Sequence, residues 1–109
     1  MAKSKLIREV ELTETAEQQL TNALEYWIEQ NKSNQYAIKL LHLISRRCSQ
    51  LKKQPLSAPE SEYPETRVAS LGHYSLYYKI LSNKIVITAF WDNRQDPKKL
   101  LKLIRKELK

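Results

Sequence analysis

Two arginines carry the most suggestive chemistry in the chain. Arg67 opens the segment RVASL, just before Gly72, and Arg94 sits in WDNRQDP, residues 91–97, where an apolar run breaks off. A planar, permanently charged guanidinium at either place could hold a phosphate or a carboxylate in a bidentate grip. Each also has a structural explanation. Arg67 could form a sheet-surface ion pair with Glu65 or a strand neighbour, and Arg94 could close its loop through a salt bridge to Asp92. Other chemistries find less support. Cys48 lies among apolar helical positions with His42 six residues away, badly placed as a base, so it reads as a buried inert thiol. His42 and His73 are far apart, and no second cysteine stands at ligand spacing, so no metal is expected. Gly72 is the only glycine, too few for a phosphate loop, and no cofactor is expected.

Charge points to the kind of partner. Nineteen Lys and Arg against twelve Asp and Glu leave +7, which favours nucleic acid, an acidic protein or an anionic surface. The charge is clustered: Arg46 and Arg47 lie beside Lys39, Lys52 and Lys53 on one helix, and Lys98, Lys99, Lys102 and Arg105 lie near the C-terminus. With Arg67 and Arg94, the arginines among these and the C-terminal lysines are the candidate contacts to a target or a neutralising partner. A solvated face would explain any single lysine. The N-terminal segment MAKSKLIREVEL has no long apolar stretch, so neither a signal peptide nor a membrane span is expected. A lone cysteine suits a reducing compartment, and the cytoplasm is the expected location.

These residues need elements to position them. The chain is 109 residues long, 41% hydrophobic and 28% charged, which suits one folded domain over 1–109. Residues 6–12, with Leu6, Val10 and Leu12 on one face, predict a short strand. A helix follows, with Thr15 as N-cap and Gln18 completing a capping box. Ala16, Leu20, Ala23, Leu24, Trp27 and Ile28 make its stripe. NKSN, 31–34, breaks it. In a second helix Tyr36, Ala37, Leu40, Leu41, Ile44, Cys48 and Leu51 make another stripe, and the short connection predicts an antiparallel helical hairpin. Pro55, Pro59 and Pro64 mark a loop with an acidic cluster of Glu60, Glu62 and Glu65.

Beyond the loop the period changes to that of strands. TRVASL, YSLYYKIL and KIVITAFW predict a three-stranded antiparallel meander, the last strand central because it is apolar on both faces. Gly72-His73 supplies one hairpin turn through positive φ at the glycine, and Ser82-Asn83 supplies the next, with Asn83 tolerating the left-handed region. Leu76, Tyr78 and Ile80 share a face, which leaves Tyr77 on the other as the best candidate for an exposed ring. Asp96 and Pro97 suit the N-cap and first residue of a basic C-terminal helix over 97–109, with Leu100, Leu101, Ile104 and Leu108 on one side. Trp27 and Trp91 read as core or subunit contacts.

The order strand, helical hairpin, proline loop, meander and polar knot resembles the RelE/ParE superfamily of bacterial type II toxins. Ala16 and Leu20, Leu51 and Pro55, Arg67, Tyr74 and Tyr78 carry the resemblance, together with RVASLGHYSLYYKI and KIVITAFWDNRQDP, over roughly residues 7–97. It implies an α+β fold, in which two helices pack on a roughly four-stranded, mainly antiparallel sheet. It also implies a cognate antitoxin, encoded beside the toxin, that joins it in a hetero-oligomer.

The superfamily divides by target. RelE-like members are ribosome-dependent endoribonucleases that cut mRNA; ParE-like members poison DNA gyrase without that chemistry. Cleavage by a 2′-hydroxyl needs a base, cations on the phosphate and an acid for the leaving oxygen. If the chain is RelE-like, the resemblance implies Arg67, Arg94, His73 and Tyr77 as its catalytic groups. However, Ser75 stands where such members commonly carry arginine, and neither Tyr nor His follows Trp91. The resemblance therefore leans toward gyrase. The ribosome with its mRNA is the alternative target, and a basic nucleic-acid-binding domain that is no toxin is a third reading.

Overall fold

The computed structural model describes residues 9–96 and 98–102. Its elements run β1 (Glu9–Leu12), α1 (Glu14–Asn31), α2 (Gln35–Lys53), β2 (Arg67–Leu71), β3 (Tyr74–Leu81) and β4 (Lys84–Asp92). Residues 98–102 are helical. The strands form one sheet in the order β1-β4-β3-β2. The meander β2-β3-β4 is antiparallel, and β1 adds to β4 in parallel. Both faces of β4 are covered, as expected for a strand rich in apolar residues on either side. Leu6, Ile104, Arg105 and Leu108 lie outside the described residues.

The helical hairpin forms with Lys32 in the left-handed region at the C-cap of α1. Its start differs from the sequence expectation. The N-cap is Thr13, extended at φ −70° and ψ 165°, and its hydroxyl accepts from Ala16 N–H at 3.1 Å. Thr13 N–H also donates to Ile87 C=O at 3.0 Å, so the chain passes from sheet to helix without a loop. A cap at Thr15 would require non-helical backbone inside the first turn. With the cap at Thr13, Gln18 stands inside the helix, and its amide donates to Asn22 Oδ1 at 3.0 Å.

Most of the two stripes is buried against the sheet, Ala16, Leu40 and Leu51 almost completely. Ile28 and Leu41 are exposed instead, because each lies at the margin of its stripe, turned from the sheet. Cys48 is half-buried, and burial pushes its thiol up, with Lys52 opposing. That thiol stays protonated at neutral pH.

The hairpin turns fall where the sequence put them, with Leu71 paired to Tyr74 and Leu81 to Lys84. Gly72 has φ +61°. In the second turn Ser82, not Asn83, takes positive φ, at +54°. Both loops therefore place their left-handed residue first.

One irregularity decides what β4 presents. Tyr77 pairs with Ala89 but Tyr78 pairs with Ile87, so Thr88 is an extra residue. Its hydroxyl donates to Tyr77 C=O at 3.3 Å. This bulge shifts the strand's phase. Ile85 and Ile87 face the helices, and beyond the bulge Phe90 does so while Ala89 and Trp91 face away. Asp92, two residues after Phe90, follows it to the helix side. On the far side a second cluster joins Tyr63, Ala89, Trp91 and Leu100, with Tyr77 and Leu101 against it. Tyr77 is therefore half-buried, its ring edge-on to Tyr63 at 5.7 Å, rather than an exposed ring.

Candidate functional site

The polar knot after β4 is built by short-range hydrogen bonds. Asp92 and Arg94 form a bidentate pair: Arg94 Nε donates to Oδ1 at 2.9 Å and Nη2 to Oδ2 at 2.7 Å. The backbone N–H of Arg94 also donates to Asp92 Oδ1 at 2.9 Å. Asn93 N–H reaches His73 C=O, and its side-chain oxygen accepts from Ser75 Oγ at 2.9 Å, tying the knot to the Gly72 turn. Asp96 then caps the C-terminal helix, accepting from Lys98 N–H at 3.0 Å. The knot thus ends a strand, turns the chain and starts a helix within a few residues.

The Arg94 guanidinium lies over the Trp27 ring, 5.7 Å from its centroid. Trp27 Nε1–H donates to the Tyr74 hydroxyl at 2.7 Å, and Tyr74 stacks on Phe90 at 4.5 Å. Bulge, aromatic stack and ion pair therefore form one continuous structure joining α1 to the end of β4. Hydrogen bonding to Arg94 holds the Asp92 carboxyl below its ordinary value, although burial opposes the shift. Asp92 in turn raises the Arg94 guanidinium. The Arg94 side chain remains 52% exposed, so part of its donor set is open to a partner.

Arg67 is held differently. Its Nη1 donates to Ala58 C=O at 2.6 Å and reaches Leu56 C=O at 3.4 Å, while Nη2 stands 3.6 Å from Glu60. The carboxylate is thus Glu60 rather than Glu65, and the principal partners are loop carbonyls. Arg67 sits opposite Tyr78, whose hydroxyl donates to Pro55 C=O at 2.6 Å. Together the two residues clamp the proline loop to the sheet.

The remaining sequence candidates are spread over the surface. His73 is exposed at the Gly72 turn and lies near enough to Asp92 to help lower its carboxyl slightly. Arg94 and His73 therefore share one end of the sheet. Arg67 stands farther along β2, and Tyr77 is on the opposite face. Arg47 donates to Ser70 C=O at 3.1 Å and to Gln50 Oε1 at 3.0 Å, fastening α2 to β2. Arg46, Lys98, Lys99 and Lys102 are exposed.

A cleft of about 660 Å³ opens between α1 and the end of β4, lined in part by Gln19, Asn22, Tyr26, Tyr74, Asp92 and Arg94. Gln19 is absent from the sequence-based candidates. Its Oε1 accepts from Phe90 N–H at 2.7 Å, while its Nε2 is buried without a hydrogen-bond partner among the described residues. One signal was available: Gln19 stands three residues after Ala16 and four before Ala23, a polar residue inside an apolar stripe.

A small α+β domain, with a helical hairpin packed on a four-stranded mixed sheet, is the class that this order of elements defines. The chain matches the family model for the ParE toxin of the type II toxin–antitoxin system parDE over residues 10–97, and it belongs to that family. In structure it is similar to a chain of the chromosomal ParDE TA system from P. aeruginosa, with a TM-score of 0.68 and 18% identity over 80% of this chain and 96% of that one. At that identity the likeness speaks for the fold. A search of curated proteins found no match. Among the described residues, no helix is long and apolar enough to cross a membrane.

Proposed function

We propose that this toxin inhibits growth by binding DNA gyrase, without catalysis of its own, and that a cognate antitoxin neutralises it. The observation that carries the reading is that Arg67, Ser75 and Tyr77, where a ribonuclease would place working groups, are engaged within the fold, while Arg94 and His73 stay exposed. Arg67 is committed to the carbonyls of Ala58 and Leu56 rather than presented to a phosphate. Ser75, at the position where a cation would be expected, is buried and hydrogen-bonded to Asn93. Tyr77 is packed on Tyr63, and its phenol is pushed up by burial and by Glu62, which makes it a poorer acid. Arg94, Lys98, Lys99 and Lys102 at the end of β4 and Arg46 on α2 are exposed cations. They offer a basic binding surface for the target or the antitoxin. The reading places the protein in the cytoplasm, where Cys48 stays reduced.

Induced expression followed by pulse labelling tests this. Early loss of DNA synthesis with an SOS response is expected, while protein synthesis continues at first. Early collapse of protein synthesis instead would point to the ribosome and mRNA. Normal growth would leave only a basic binding domain.

A further inference from the structure

We propose that the cleft between α1 and the open end of β4 seats an extended polypeptide segment of the antitoxin, with a carbonyl oxygen of that segment accepting from Gln19 Nε2. The proposal rests on the toxin–antitoxin reading above and adds where and how the partner is held.

Pairing of β1 to β4 stops at Leu12 and Ile87, while β3 continues along β4 to Asp92. Residues 88–92 therefore have a strand neighbour on one side only. A strand edge in that state is a template for another chain. Gln19 occupies part of the empty place. Its side-chain amide does what a neighbouring peptide group would, accepting from Phe90 N–H through Oε1. The same amide leaves Nε2 buried and unpaired. Buried amide donors are almost always paired in a completed structure, so a missing acceptor is the simplest account of this one.

The charge in the cleft selects the ligand's class. The Asp92 carboxylate and the Arg94 guanidinium bind each other bidentately, so the pair brings no net charge to the cleft wall although part of the guanidinium stays open. A nucleic-acid phosphate draws its affinity from cations that are not already neutralised. What remains in the wall is amide and ring, Gln19 and Asn22 with the half-exposed Tyr26. Amide groups beside an open strand edge match a peptide backbone. The volume of about 660 Å³ is ample for a short extended stretch.

The test separates this seat from the reading beneath it. Gln19→Glu keeps an oxygen for Phe90 N–H and replaces the unpaired donor by an anionic oxygen. Gln19→Met removes the donor without adding a charge, and with it the acceptor for Phe90 N–H. Each is titrated against the antitoxin purified from the adjoining reading frame, with melting curves alongside and amide hydrogen exchange on the wild-type complex. Affinity about tenfold weaker in both variants is expected, with cooperative melts that show both to be folded and slowed exchange over 88–92 when the wild-type complex forms. Wild-type affinity in both variants, or unchanged exchange over 88–92 in a formed complex, overturns the seat alone. An antitoxin that fails to bind the wild-type protein overturns the toxin–antitoxin reading and the seat with it.

Discussion

Arg67 and Arg94 each stand near a carboxylate at the margin of the same sheet, yet they are held in opposite ways. Arg67 points its guanidinium inward to the carbonyls of Leu56 and Ala58, with its side chain 22% exposed and Glu60 only at the rim. Arg94 is gripped by Asp92 and laid over Trp27, but half of it faces solvent beside a cleft. An arginine whose donors end on main-chain oxygens closes a loop. An arginine oriented by a carboxylate and a ring, and still open, is poised to meet something else. Residue type alone treats the two alike; their partners separate them.

The sharpest way to break this comparison is to remove Arg67. Arg67→Ala leaves the carbonyl of Ala58 without its charged donor and frees the proline loop. The expected loss is about 1.5–3 kcal/mol, the range for a hydrogen bond to a charged group. A urea unfolding midpoint equal to wild type would return Arg67 to the list of open, contact-ready cations. A smaller effect is expected at the entrance to α1. Thr13→Ala removes the cap at Ala16 N–H and the hydroxyl contact to Thr88 C=O. It should cost about 1 kcal/mol. Thermal melting reads it, and an unchanged melt would contradict the cap assignment.

The smallest effect concerns acid. Because Arg94 holds Asp92 below its ordinary value of 3.8, the pair's contribution is complete above that value and is lost as pH falls through the lowered one. The Asp92–Arg94 pair should therefore keep both its charges between about 5 and 9. Titration of the Asp92 side-chain carbon by NMR checks this. A midpoint at or above 3.8 would mean that the bidentate pair does not form in solution.

Much of the frame was legible before any coordinates. The helical stripes, the four-residue break at 31–34, the glycine turn and the Asp96 cap each have a local physical cause that a sequence displays. The pairing of Asp92 with Arg94 was legible too, being two residues apart. What stayed hidden depends on register. Thr88 reads as one more β-branched residue in a strand apolar on both sides, so no alternation betrays the bulge. Without it, Asp92 and Trp91 would exchange faces, and the knot would not meet Trp27. Tyr77 looked exposed because Leu76 and Tyr78 occupy the helix side, and nothing local announced that Tyr63 and Leu100 cover the other. Gln19 escaped because its importance arises where β1 ends, a fact of tertiary pairing.

The central claim is that the open arginine at the end of β4, not the clamped one in β2, serves the inhibition of gyrase. Supercoiling of relaxed plasmid by purified gyrase, titrated with the wild-type toxin and with Arg94→Ala, tests it most directly. Inhibition by the wild-type protein with no ribosome present is predicted, weakened about tenfold in Arg94→Ala, the scale of one charge-assisted contact. Undisturbed supercoiling at all toxin concentrations, with mRNA cut when ribosomes are supplied, would contradict it.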